Sequence, residues 1–306
     1  MRGLRPSLRG VADLMFSSQL FFQLLVSGIV IGSNYALLSV SFGIIYATTR
    51  IFHFAHAIVY TMAAYGAVIG LDKLGLPLWL SLVVGLVVAV ILGVAIDVGA
   101  YRPMRHRGAS TLALFLTSLG LTIAGANLIQ IVFGSKNRPL PGFPMKTFQV
   151  GSVTFTSLHL TIVVVSWLLI LGLTMFLRTT KYGRATRAAQ SNTQMAMAVG
   201  IQMEKVSLVV FAAGSLLVAV SALLFTLGGV ASPNMGFSPI LIGFIGVFLG
   251  GIGSVSGAAL GGFVLGLATS LSGLWLSGDY APVVVFGLMF VLIILRPQGL
   301  LGKPVR

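Results

Sequence analysis

The sequence contains no cysteine, which excludes disulfides, thiolate-held metals and cysteine nucleophiles together. Acidic residues are almost as scarce, with five in 306 residues. Asp13, Asp72, Asp97, Glu204 and Asp279 are scattered over different segments and supply no paired carboxylates for general acid–base work. Charged residues amount to 8% of the chain, against about 25% in soluble domains. Apolar residues fill the space: they make up 57% of the sequence, and the mean hydropathy is +1.04. This is the composition of a chain that lives in a membrane. The 38 glycines suit close-packed transmembrane helices. The 19 basic residues give a formal net charge of +14, a value that often signals nucleic acid. Here they sit in short loops between apolar runs and share no face, so they act as topology signals and no nucleic-acid partner is expected.

Apolar runs occupy approximately residues 19–49, 54–71, 76–99, 111–133, 158–177, 206–230, 237–270 and 281–295. Each reaches or nears the roughly 20 residues that carry a helix across hydrocarbon. The runs lack the alternation of a barrel strand, so backbone satisfaction in lipid predicts an all-α polytopic transmembrane bundle. Two runs exceed a single span. The first carries Gly28, Gly32 and Gly43, and the run 237–270 is interrupted by Gly250-Gly251-Ile252-Gly253-Ser254. Both are expected to break in two, for about eight to ten crossings in one transmembrane domain covering 1–306.

The positive-inside rule sets the orientation. An inner side holding the N-terminal tail (Arg2, Arg5, Arg9), Arg50, the Tyr101–Arg107 loop, the 178–206 loop and the C-terminal tail collects 15 basic residues. The outer side keeps Lys73, Lys136, Arg138 and Lys146. The basic N-terminal tail runs into an apolar stretch too long for a signal peptide, so it reads as an anchor. Two loops have room for structure. The external one, 134–157, opens with a Pro/Gly turn and continues as a short hairpin. The internal one, 178–206, contains helix formers from Arg184 to Ala196 and a stop at Gly200.

Chemistry is limited by the same scarcities. His53 and His56, three apart and read as one helical face, have no third metal ligand nearby; helix packing or a pore lining are the competing roles. Gly250, Gly251, Gly253, Gly257 and Gly261 lack the Lys-Ser/Thr ending of a nucleotide loop. They read either as a packing ridge or as a broken helix along a translocation path. Asp97 is the sole carboxylate near a span interior; ion coupling competes with an ion pair to Arg102 or a loop arginine. Ser232-Pro233-Asn234 is the only near match to the paired Asn-Pro-Ala caps of a water channel. Asn34, Tyr35, His53, His56, Asn127 and Gln130 are polar residues on apolar segments, and so are pore candidates.

Several segments together resemble one family, the smaller permease subunits of bacterial branched-chain amino acid ABC importers. Gly32-Ser33-Asn34-Tyr35-Ala36-Leu37, Phe54-Ala55-His56 and Ala64-Tyr65-Gly66 look like its early pattern. Tyr101-Arg102-Pro103-Met104-Arg105 is similar to its mid-chain motif. The late segments Gly183-Arg184-Ala185-Thr186-Arg187-Ala188 to Gly200-Ile201, Leu249 to Ala258, and Arg296-Pro297-Gln298-Gly299-Leu300-Leu301-Gly302 complete the order. His53, Ala57, Gln190-Ser191-Asn192 and Ile242 depart from that pattern. The family also serves urea, short amides and small organic acids, so the solute is not carried over.

The resemblance implies a non-enzymatic import subunit of the bacterial inner membrane. It would work with ATP-binding subunits that hold ATP and Mg, a second permease that is homologous or identical, and an external solute-binding protein docking on 134–157. It places a coupling helix at Arg184, Arg187, Ala188, Ala196 and Gly200. A solvated basic loop held to lipid headgroups is the competing role for 178–206. The competing function is a self-sufficient passive channel or ion-coupled carrier, which would show solute flux with this chain alone.

Overall fold

The computed structural model describes residues 18–141, 143–151, 153–296 and 298–301. It is a helical bundle made of α1 (Ser18–Thr49), α2 (His56–Asp72), α3 (Leu78–Ile96), α4 (Arg102–His106), α5 (Thr111–Phe133) and α6 (Ser157–Thr179), followed by α7 (Lys181–Ser191), α8 (Thr193–Ala198), α9 (Met203–Leu227), α10 (Phe237–Gly250), α11 (Val255–Leu271) and α12 (Ala281–Leu295). A π-helical turn, Asp97–Tyr101, joins α3 to α4 without ending the rod. The strands are β1 (Arg138–Pro139), β2 (Thr147–Val150), β3 (Val153–Thr156) and β4 (Val230–Ala231).

The 19–49 run does not break. α1 is one helix of 32 residues, about 48 Å long at 1.5 Å per residue. Its glycines are contact points: a Cβ on Gly28 would meet Leu267 and Ser270, one on Gly32 the Phe263 carbonyl, and one on Gly43 Val247 and Ala258. A glycine inside a helix costs about 1 kcal/mol of propensity, and a close helix neighbour offsets it. The chain turns instead at Arg50, whose φ of +57° is the only positive value among described non-glycine residues. Residues 51–55 are irregular before α2 begins. The second long run does divide, between α10 and α11, where Gly251 and Gly253 hold φ of +102° and +90°.

Cross-links fix which ends share a face. Gln23 Nε2 donates to the Thr154 carbonyl and Gln23 Oε1 accepts from the Thr154 N–H, so α1 starts beside the β2–β3 hairpin. β1 pairs antiparallel with β4, and Arg138 reaches Asp72 at 3.7 Å, which brings the ends of α2 and α9 to that same face. On the opposite face Gln190 donates to Thr48 Oγ1 at 3.1 Å, and Arg102 and His106 both pair with Glu204. Among described residues the second face carries ten Lys and Arg, from Arg50 to Arg296, and the first carries Lys73, Lys136, Arg138 and Lys146. The second face is therefore the cytoplasmic one.

α1 opens on the outer face, whereas an internal N-terminal tail required that run to cross twice. The tail with Arg2, Arg5 and Arg9 lies outside the described residues, as do Lys303 and Arg306. Among the described residues six helices are long and apolar enough to cross a membrane. Two shorter apolar helices, Phe237–Gly250 and Pro282–Leu292, stand beside them.

α1 is the hub: most of it is buried, and α9, α10 and α11 pack around it. Added Cβ atoms at Gly246 and Gly262 would each strike Ser39, so α10 and α11 meet α1 almost backbone to backbone. α3, α5 and α6 lie at the periphery and expose Ile91, Leu116, Leu128, Leu168 and Leu171. An apolar surface on that scale belongs in lipid or against another subunit.

Candidate functional site

The cytoplasmic face carries α7 and α8, set end to end and separated by Asn192. Thr180 Oγ1 caps α7 by accepting from the Gly183 N–H, and Asn192 Oδ1 caps α8 by accepting from the Met195 N–H. Gly200, φ +84°, ends this segment with its left-handed backbone. Gly183 lies against the Leu177 backbone, and Thr186 and Ala189 are buried. Arg184, Arg187 and Gly200 are exposed and Ala188 is half-buried, while Ala196 is buried and anchors the helix. Met195, Met197 and Val199 were missed: they are 63%, 52% and 70% exposed on a segment outside the membrane. Three apolar residues at alternate positions in a segment outside the long apolar runs, just after Arg184 and Arg187, were the available signal.

Beside these helices the inner ends of α3, α4 and α9 are tied together. Asp97 is fully buried; Arg105 Nη2 stands 2.8 Å from its Oδ1, and the Ser207 hydroxyl lies 3.0 Å from both oxygens. The partner is thus Arg105, while Arg102 goes to Glu204 at 3.5 Å. The π turn faces Asp97 and Tyr101 inward together, and Tyr101 is fully buried with its hydroxyl 2.9 Å from His53 Nδ1. Such turns recur at functional positions in helices.

The six pore candidates do not converge. Asn34 Oδ1 accepts from the Ser221 hydroxyl at 2.6 Å inside the bundle, and Tyr35 lies half-buried at the α11 seam. His53 is in the irregular linker and His56 opens α2, so they share no helical face, although their ring centroids lie 5.0 Å apart with the planes tilted by 52°. The reason is the Arg50 turn, which ends helical periodicity before His53. Both imidazoles are enclosed, and His56 Nε2 lies 3.3 Å from Ser41 Oγ. Gln130 is exposed on α5.

Asn127 alone borders an open cavity, about 420 Å³, between α2, α5 and the segment 233–238. Its polar lining is Thr61, Thr122, Asn127, Asn234 and Ser238, and its aliphatic wall includes Ile58, Ile123 and Ile129. Thr122 is at the middle of α5, and an added Cβ on Gly236 would strike the Ala57 carbonyl at the start of α2. Residues 228–236 therefore dip from the outer face to membrane depth before α10 starts. Of the five polar residues only Asn127 and Asn234 drew notice in the sequence; Ser238-Pro239 in a first helical turn was the overlooked signal. Toward the cytoplasm the same flank continues as an apolar cavity of about 530 Å³, lined by Phe52, Phe54, Thr111, Leu112, Phe115 and Phe244.

Gly250 and Gly261 sit where α10 and α11 touch through their backbones, and Gly257 faces the Gly250 carbonyl. Gly251 and Gly253 make the turn between them.

A polytopic bundle with a half-length helix at membrane depth, a side cavity and a paired helix on its inner face defines a transmembrane permease. Residues 24–294 match the family described as branched-chain amino acid transport system / permease component. Over 298 residues the chain is 33% identical to the high-affinity branched-chain amino acid transport system permease protein LivH of Escherichia coli, covering 93% of this chain and 96% of that one. BraD of Pseudomonas aeruginosa, of the same description, is 32% identical over the same shares. Among solved structures, PsaBC from Streptococcus pneumoniae in complex with Fab aligns with a TM-score of 0.50 and 14% identity, covering 94% of this chain and 95% of that one, a likeness of fold alone. The chain belongs to the branched-chain amino acid permease family of ABC transporters and is a multi-pass membrane protein.

Proposed function

We propose that this chain is the permease subunit of an ABC importer in the bacterial inner membrane, carrying branched-chain amino acids or a related small polar solute into the cytoplasm. Urea, amides and small organic acids are the related solutes. Separate subunits that bind ATP and Mg power it, and a solute-binding protein delivers cargo at the outer loop 134–157. The observation that carries this reading is the α7–α8 pair, basic at Arg184 and Arg187 and apolar at Met195, Met197 and Val199. Exposed apolar side chains outside the bilayer suit a protein groove better than water. Their helices hydrogen-bond to α1 through Gln190, so a push from an ATPase would reach the hub helix.

The flank supports a second permease subunit as partner. Irregular backbone at membrane depth is tolerated only where protein or a water-filled path covers it. The segment 228–236 and the exposed Asn127, Asn234 and Ser238 meet that condition when the flank faces another permease. The outer cavity and the inner aromatic one then form one side of the conduit, with Phe52, Phe54, Phe115 and Phe244 as the narrow inner half.

The test uses the ATPase co-purified with the permease. Met195→Asp with Met197→Asp should abolish co-purification while the permease stays monodisperse. Retained ATPase, or accumulation of solute by this chain alone, would overturn the reading.

A further inference from the structure

A separate cavity, about 400 Å³, opens on the inner face where the end of α1, α4, α8 and the start of α9 meet. Arg50, Arg102, Arg105 and His106 line it, and Glu204 is the only carboxylate among the described residues of its wall. That carboxylate is already divided, with Oε2 3.5 Å from Arg102 Nη1 and Oε1 2.9 Å from His106 Nε2. Asp97, which is fully buried, takes Arg105 Nη2 at 2.8 Å. Arg50 has neither a carboxylate nor a hydrogen-bond acceptor for its guanidinium among the described residues. With Glu204 and Asp97 both counted, one guanidinium charge is left over. Two further donors, Arg102 Nε and Arg105 Nη1, are buried without an acceptor. The hydroxyls of the wall add no donors: Thr48, Thr49 and Thr193 give their hydrogens to the Ile44, Ile45 and Ala189 carbonyls, and Ser207 gives its own to Asp97. Arg50 is also held in strain, since its φ of +57° lies in a region that glycine or asparagine fills more easily than arginine. A plain turn needs no arginine, and strained backbone of this kind collects at ligand sites.

We infer that this cavity binds a phosphate group through Arg50, Arg102 and Arg105. A planar guanidinium fork matches phosphate oxygens in pairs, and the leftover charge is the countercharge that a phosphate monoanion needs. The site lies where the helices leave the membrane, at the level of the inner headgroups, so the group arrives either on an anionic lipid or as a free phosphate from the cytosol. Both sources present the same oxygens to the same arginines. Basic residues that only set topology need no shared cavity, no orphaned donors and no strained turn. The site depends neither on the solute carried nor on the importer reading.

The experiment uses the full chain in maltoside micelles, which contain no phosphorus. Inorganic phosphate is followed by phosphorus NMR line broadening and dioctanoyl-phosphatidylglycerol by native mass spectrometry, with dioctanoyl-phosphatidylcholine as the lipid control without net charge. Wild type should bind at least one of the two anionic probes saturably at one equivalent, and phosphatidylcholine at least tenfold more weakly than phosphatidylglycerol if the lipid is the ligand. Binding of phosphatidylglycerol alone names a lipid as the source, binding of phosphate alone names the free anion, and competition between them leaves the site open to both. Arg50→Asn removes the guanidinium while keeping a residue at ease with positive φ, and should weaken binding at least tenfold. Arg102→Gln should do the same. Arg107→Gln with Arg178→Gln removes two exposed arginines of the same face outside the cavity and should change binding less than twofold. Gel filtration scores folding, and Arg50→Gly replaces Arg50→Asn if that variant aggregates. No saturable binding of either probe, unaltered binding in the folded cavity variants, or an equal loss in the Arg107 and Arg178 control would overturn the site.

Discussion

Replacing Arg105 by Met tests the tie between α4 and α9. The Asp97 carboxylate is fully buried, and its charge is balanced by one guanidinium nitrogen at 2.8 Å and one serine hydroxyl at 3.0 Å. Methionine keeps much of the arginine stem but leaves the carboxylate without a countercharge. Breaking a buried pair from one side costs about 3–5 kcal/mol. Water reaches the Arg105 side chain, which is 27% exposed, so the lower end, about 3 kcal/mol, applies. Asp97→Asn removes the charge and retains an acceptor for Ser207, at a cost of about 1 kcal/mol. The double variant therefore recovers most of the loss, because the penalty of Arg105→Met is the stranded charge and not the missing contact.

Polytopic proteins rarely unfold reversibly, so the assay is the rate of heat inactivation in nanodiscs, followed by monodispersity. If the whole loss falls on the unfolding barrier, 3 kcal/mol speeds inactivation by about two decades, since each 1.4 kcal/mol is tenfold. The double variant should lie within about one decade of wild type. An Arg105→Met protein as durable as wild type, or a double variant less durable than the single, would refute the buried-charge account.

Gly262→Leu should prevent folding, because its added carbons would enter the Tyr35 carbonyl and Ser39 at the α1–α11 seam; the yield of monodisperse protein measures this, and a normal yield would deny that contact. Asp72→Asn should change stability by less than about 1 kcal/mol, since both partners of its 3.7 Å pair with Arg138 are solvent-accessible. A larger loss in the same inactivation assay would mean that the outer face is more tightly locked than this geometry implies.

The sequence by itself determined that the protein is a helical membrane bundle, because hydropathy and the backbone's need for partners in lipid leave no other structure for such runs. It also determined the hairpin that pairs 147–150 with 153–156, since turn residues act locally. The break at Gly251 and Gly253 was legible for the same reason: their positive φ is a local demand that glycine meets. The unbroken α1 was not legible. Its glycines look like breaks until α11 is seen lying on them, and their role depends on residues more than two hundred positions away.

The His53–His56 geometry turned on a single left-handed residue, Arg50, which no periodicity announces. Only the tertiary structure chose Arg105 over Arg102 for Asp97, because the π turn rotates the carboxylate toward Ser207 on a distant helix. It alone gathered Thr61, Thr122, Asn127, Asn234 and Ser238 around one cavity while dispersing the other polar candidates. Polarity on an apolar helix states that a partner is needed; which partner is a matter of where helices far apart in the chain come to rest.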